Sequence, residues 1–288
     1  MADAQPNLFR RRLGLELRSL RKRAGLSLVE ASERLGLSGA SALSKIENGR
    51  QRVPPVSVPG FLEVYGITDP EACSEIRRLA LLAASGKQTS LLAAYRESVR
   101  DPFAEYIHLE ELALRAESFS YLVPGLLQTE EYAHAVVAGS RKWSTSKEIR
   151  SFVELRMVRQ QALVREKPLG LWCILDEAAL HRQVGGPAIM RRQLQRLLEA
   201  AESLPHVAIQ VLPFRKGAHA GMDGPFTIMR FEAGPPIAVV EPMTTSLYLE
   251  DDADVERYET GFNHLRAESL DDEQSAALIH NLIKDQQR

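Results

Sequence analysis

The strongest constraint on this chain is a pair of short helical patterns hinged on one glycine. Leu26-Ser27-Leu28-Val29-Glu30-Ala31-Ser32-Glu33-Arg34-Leu35 is followed by Gly36-Leu37-Ser38 and then by Leu43-Ser44-Lys45-Ile46-Glu47-Asn48-Gly49-Arg50. Ser27 and Glu30 stand at capping-box spacing and start a helix. Small Ala31 and Ser32 allow two helices to cross closely, and Gly36 admits a sharp left-handed turn between them. Leu37 is expected inside that turn, and Ser38 or Ser41 is expected to cap the next helix, from about Ser41 to Asn48. Leu43 and Ile46 would face inward, leaving Ser41, Ser44 and Lys45 outward. Short polar side chains on such a helix can approach base edges, while flanking cations and helix N-termini hold phosphates.

Charge distribution supports that reading. The 288-residue chain has a formal net charge of −2. Residues 1–55 hold 11 Lys/Arg against 5 Asp/Glu, a local +6 that leaves −8 for the remainder. A basic head on an acidic body suits one module that meets nucleic acid and one that does not. Cys73 and Cys173 lie far apart with no partner at metal-ligand spacing, so both are expected as reduced thiols in a cytoplasmic protein. No apolar run approaches the roughly 18 residues of a membrane span, and residues 1–8 read as a polar arm.

The order of patterns predicts two domains. In residues 1–84 a helix over Phe9–Ala24, with Leu13, Leu17 and Leu20 on one stripe, precedes the hinged pair. A fourth helix runs through Phe61–Tyr65, and a fifth runs from Pro70 to about Ala84. Residues 85–90 read as a linker, followed by a connecting helix from Leu91. The domain over residues 91–288 is expected to be helical at Tyr106–Ser118 and from Thr145 to about Glu166. Strands are expected at Leu169–Leu175, Val207–Leu212, Phe226–Phe231, Ile237–Val240 and Ser246–Leu249. With a helix at Pro187–Ser203 and two more at the end, the expected class is a mainly α helix-turn-helix domain of five helices followed by an α+β domain.

Residues 13–66 resemble the Xre-type, Cro-like helix-turn-helix family, on Leu35-Gly36-Leu37-Ser38 and Ser44-Lys45-Ile46-Glu47-Asn48-Gly49. Two departures stand out. Leu28 occupies the position where that family usually has Gln, and one extra residue, assigned to Gly39, lies between Ser38 and Ser44. Further on come Val123-Pro124-Gly125-Leu126-Leu127-Gln128-Thr129-Glu130-Glu131-Tyr132-Ala133, Arg156 with Arg159-Gln160, Asp176 to Leu180, Val184-Gly185-Gly186, Met190 with Gln193-Leu194, and Gln210 to Pro213. In this order they resemble the large C-terminal domain, of unknown function, in the actinobacterial WhiJ-like regulators. The resemblance implies transcriptional regulation, and a small acidic partner protein is often encoded beside members of that group.

The residues expected to face double-stranded DNA are Ser27, Ser38, Gly39, Ala40, Ser41, Ser44, Lys45, Asn48, Arg50 and Arg52. A homodimer reading a two-fold operator is expected, with its main interface in residues 91–288. The Gly-rich stretch Pro213–Phe226 reads as a long hairpin connection, as the wall of a small-molecule effector pocket, or, least favoured, as the home of a catalytic His219–Asp223 pair. The candidate pocket residues are Trp172, Arg182, His219, Met222, Asp223 and Phe226. No metal or cofactor motif and no nucleophile motif is present, so no enzyme activity is expected. The competing readings of the second domain are an enzyme or toxin-type effector and a pure dimerisation scaffold. The protein is expected on the nucleoid.

Overall fold

The computed structural model describes residues 8–84, 101–140, 145–232, 234–241 and 246–285. The N-terminal arm, the 85–90 linker and most of the connecting helix from Leu91 lie outside the described residues. The chain divides into two compact units, one built on the five N-terminal helices and one that holds a β-sheet.

In the first unit, α1 (Leu8–Arg23) buries Phe9, Leu13, Leu17 and Leu20 along one stripe. It is followed by α2 (Leu28–Arg34), α3 (Ala40–Glu47), α4 (Val58–Val64) and α5 (Pro70–Ala84). Ser27 and Glu30 form the expected capping box, with both reciprocal hydrogen bonds made. Asp69 accepts from the Ala72 N–H at 2.8 Å and so starts α5. An ideal Cβ on Gly14 would sit 2.6 Å from the backbone oxygens of Ile46 and Glu47, so α1 and α3 cross at backbone distance.

The second unit is a six-stranded mixed sheet flanked by helices, an α+β architecture. Its strands are β1 (Arg115–Ser120), β2 (Gly170–Asp176), β3 (Val207–Leu212), β4 (Phe226–Arg230), β5 (Ile237–Val240) and β6 (Leu247–Leu249), in the order β3-β2-β1-β4-β5-β6. β1, β2 and β3 run parallel, while β4, β5 and β6 each run antiparallel to the preceding neighbour in that order. Three helices pack their apolar faces together: α6 (Asp101–Leu112), α7 (Glu130–Gly139) and α8 (Ser146–Arg159), through Ile107, Ala133, Val137, Phe152, Val153 and Leu155. After the short α9 (Ala178–His181) comes α10 (Pro187–Ser203), and α11 (Asp252–Glu268) and α12 (Asp272–Asp285) close the chain. Phe262 and Leu265 of α11 pack with Phe119, Ile174, Leu212, Phe226 and Ile228 from the strands.

One expectation fails here. Residues 106–118 are not a single helix: α6 stops at Leu112, and Arg115–Ser120 is a strand inside the sheet. Leu, Arg, Ala and Glu favour a helix locally, but pairing on both edges, with β2 and β4, overrides that weak preference. The buried Glu117 is tolerated because Arg115 and Arg230 each reach it at 3.0 Å. The helix from Thr145 also ends earlier than expected, at Arg159, and passes into a 3-10 turn over Gln160–Leu163.

Candidate nucleic-acid interface and a cavity in the second unit

The α2–turn–α3 unit is built as its sequence demands. Gly36 holds φ +65°, where a side chain is strained, and the following Leu37 N–H returns to Ser32 O at 2.9 Å. Leu37 itself is only partly buried. The start of α3 differs from expectation, because neither Ser38 nor Ser41 caps it. The capping position belongs to Gly39, at φ +126°, with no side-chain hydrogen bond. The extra residue thus turns the chain into α3 through a backbone region that L side chains rarely enter.

Leu43, Ile46 and Glu47 are buried on the inner face of α3. Glu47 is gripped by Arg21 of α1: Nε and Nη2 donate to its two carboxylate oxygens at 2.6 and 3.0 Å, while Nη1 donates to Leu26 O at 2.7 Å. The hydrogen bond to Glu47 raises the Arg21 pKa above its ordinary value. Arg21 therefore does not belong to the phosphate-facing charge, although the sequence counts it in the basic head. It fixes the orientation of α3 instead.

On the outer side, Ser27, Ser38, Ser41, Lys45, Asn48, Arg50 and Arg52 are exposed, and Gly39, Ala40 and Ser44 are partly so. Their availability differs. The Ser27 hydroxyl is committed to its cap, Asn48 Nδ2 donates to Ser44 O at 2.8 Å, and Arg52 Nη2 donates to Ala84 O at 2.9 Å. Among the described residues, Ser41, Lys45 and Arg50 lie on this side without a side-chain hydrogen bond or ion pair.

Of the six candidate pocket residues in the second unit, Trp172 packs against the core cluster that contains Phe226. Trp172 has two guanidinium groups over its ring, Arg115 at 5.3 Å and Arg266 at 5.0 Å from the ring centre, and its indole N–H donates to Gln210 Oε1. Arg182, Met222 and Asp223 are exposed. His219 Nδ1 accepts from the Gly221 N–H, and Nε2 faces Asp176 Oδ2 at 3.9 Å, beyond hydrogen-bond reach. The loop that carries His219 is anchored by the Tyr121 hydroxyl, which donates to Gly221 O at 2.6 Å, and by Glu177, which accepts from the Phe214 N–H.

Phe226 lines a cavity of about 260 Å³. Its walls come from α6, the end of β1, the turn over 122–128, α8, β4 and β5, and they include Tyr106, Phe119, Gln128, Arg156 and Glu241. Residue-level reading of the sequence missed Gln128 and Arg156 as pocket residues. The available signal was the pair of motifs Val123–Ala133 and Arg156 with Arg159-Gln160, which the fold brings to one wall.

Residues 12–72 match the family model of a helix-turn-helix domain. Residues 103–281, more than half the chain, match the model described as a domain of unknown function, DUF5753. The chain belongs to the DUF5753 family. The DUF5753 match begins in α6 and ends in α12, so it takes in all six described strands and every described residue that lines the cavity. The helix-turn-helix match covers α2, α3 and α4 entirely. No curated protein and no solved structure is matched by the chain. Among the described residues, no helix is long and apolar enough to cross a membrane.

Proposed function

We propose that this DUF5753 protein is a sequence-specific DNA-binding transcriptional regulator that reads the major groove with α3. The observation that carries the reading is the two-sidedness of α3. Its inner side is locked by Leu43, Ile46 and the Arg21–Glu47 pair, while Ser41, Lys45 and, just beyond its end, Arg50 stand exposed. The helix-turn-helix match supports the same reading. The start of α3 has no side-chain cap, which leaves its first N–H groups for an outside acceptor such as a phosphate oxygen.

One such helix reads only a few base pairs, too few to select a site among genomic competitors. The protein therefore acts as a homodimer on a two-fold operator, with half-sites about 10 bp apart or a multiple of that. The second unit, residues 91–288 beyond the linker, supplies the dimer contact and senses an effector or a small acidic partner protein; it performs no catalysis. The ordered motifs of this unit support membership of the WhiJ-like group and a place on the nucleoid in the cytoplasm. Selection from random duplexes with the full chain, read by sequencing, tests the proposal. A recovered two-fold motif that Lys45→Ala loses is the expected result. Enrichment of no motif, with binding equal for all duplexes, would overturn sequence-specific reading.

A further inference from the structure

Two arginines face the cavity from α8, and their surroundings differ in kind. Arg159 is buried and held by Glu110, with Nε and Nη2 donating to the two carboxylate oxygens at 2.9 and 2.7 Å. Arg156 has no such partner. Its Nη1 donates to the neutral Gln128 Oε1 at 2.7 Å, its Nε–H is buried with no hydrogen bond, and Nη2 makes none among the described residues. Nε is closed off beside Gly125, so Nη2 is the guanidinium nitrogen left for an acceptor from outside. Burial, and next the neighbouring Arg159, lower the Arg156 pKa to about 10, so the group is still a cation at neutral pH.

The wall that carries Arg156 is braced. Gln128 Nε2 donates to Val123 O at 2.6 Å, and Gln160 Nε2 donates to Gly125 O at 3.1 Å and Gln128 O at 2.7 Å. Gln193 ties down the next residues by accepting from the Thr129 N–H and donating to Leu127 O. Arg156 is partly buried and feels Glu241 and Glu110 through their charge without a hydrogen bond to either, so an anion in direct contact would supply the bonds it lacks. Buried Phe119, Phe226 and Val239 also line the cavity and make part of its wall apolar. Glu241 lines the cavity as well, and its charge, which already acts on Arg156, disfavours a ligand with two or more negative charges. At about 30 Å³ per water, the space holds about nine waters, which suits a molecule the size of an aromatic acid.

We propose that this cavity binds a small monocarboxylate, its carboxylate on Arg156 beside Gln128 and its apolar body against Phe119, Phe226 and Val239. The proposal rests on the reading of the second unit as the sensing part and names its ligand class. Titration calorimetry on the full chain tests it with phenylacetate, benzoate and hexanoate, each against its neutral amide. At least one acid should bind saturably, and its amide about tenfold or more weakly, because only the acid brings a negative charge to the guanidinium. That comparison needs no variant. Arg156→Gln should lose the binding, and Arg192→Gln, on the outer face of α10, should keep it. Equal affinity for acid and amide, undiminished binding by Arg156→Gln, or no binding of any acid up to about 10 mM would each overturn the site. Duplex binding measured in the same samples separates the two readings. Intact DNA binding without carboxylate binding removes the site and leaves the regulator. Carboxylate binding that leaves DNA affinity unchanged upholds the site and removes the sensing role.

Discussion

Arg156 and Arg159 stand three residues apart on α8, and among the described residues only Arg159 is hydrogen-bonded to a carboxylate. The contrast predicts unequal losses in the fold. Glu110→Gln strands a buried cation and should cost about 3–5 kcal/mol in a denaturant melt. Arg156→Met removes a cation that no carboxylate holds by a hydrogen bond, so it should cost less, about 1–2 kcal/mol for the lost bond to Gln128 and the acceptor left behind. Equal losses for both variants would mean that Arg156 is a structural residue with a counter-charge of its own.

DNA binding should depend steeply on salt. If a dimer neutralises about 6–10 phosphates, affinity falls about 10³–10⁵-fold between about 50 and 200 mM salt. Lys45→Ala and Arg50→Ala should each reduce the slope of log affinity on log salt by about one and weaken all duplexes alike. Ser41→Ala should instead change the selected sequence. Fluorescence anisotropy at several salt concentrations checks the first two, and repeat selection checks the third. A flat salt response would contradict phosphate contact altogether.

Two glycines should fail for different reasons. At Gly36 an added Cβ meets nothing within 4 Å, so Gly36→Val acts only through backbone strain at φ +65° and should cost about 1–3 kcal/mol. At Gly14 the backbone is ordinary helix, but a Cβ would lie 2.6 Å from two carbonyl oxygens of α3. Gly14→Ala should therefore force α1 and α3 apart and impair DNA binding as well as stability. Thermal melts and anisotropy on both variants separate the mechanisms; a silent Gly14→Ala would mean that the helices do not cross there.

The Arg21–Glu47 pair predicts a local collapse of the reading head. Glu47→Ala leaves the buried Arg21 uncompensated and frees α3 from α1, at a cost of about 3–5 kcal/mol. Hydrogen exchange should show α3 opening first. Uniform protection across α1 and α3 in that variant would show that the pair does not hold α3.

The two thiols should react differently. Burial pushes the Cys173 thiol up to about 12, whereas Cys73 is only partly buried. The native state holds the Cys173 proton more tightly than the unfolded chain. That stability is whole below the unfolded pKa near 9 and declines as pH rises from there toward 12. At pH 8 a thiol reagent should titrate one cysteine in the native protein and two in denaturant. Two fast thiols in the native state would contradict the buried placement.

The sequence alone determined what depends on local chemistry. The Ser27–Glu30 cap, the Gly36 turn and the inward Leu43 and Ile46 are each specified within a few residues of themselves, and five of the six strands carry enough β-branched and apolar residues to be read directly. Tertiary structure decided what depends on distant partners. Arg115–Ser120 became a strand because β2 and β4 lie on either side of it. Arg21 left the phosphate-facing charge because Glu47, 26 residues on, meets it inside. The cavity is of the same kind. Val123–Ala133 and Arg156-to-Gln160 read as separate motifs, and only the packing of α8 against the turn puts Arg156 beside Gln128, with no carboxylate hydrogen-bonded to it. A charge has no role until its neighbours are known, and those neighbours arrive from elsewhere in the chain.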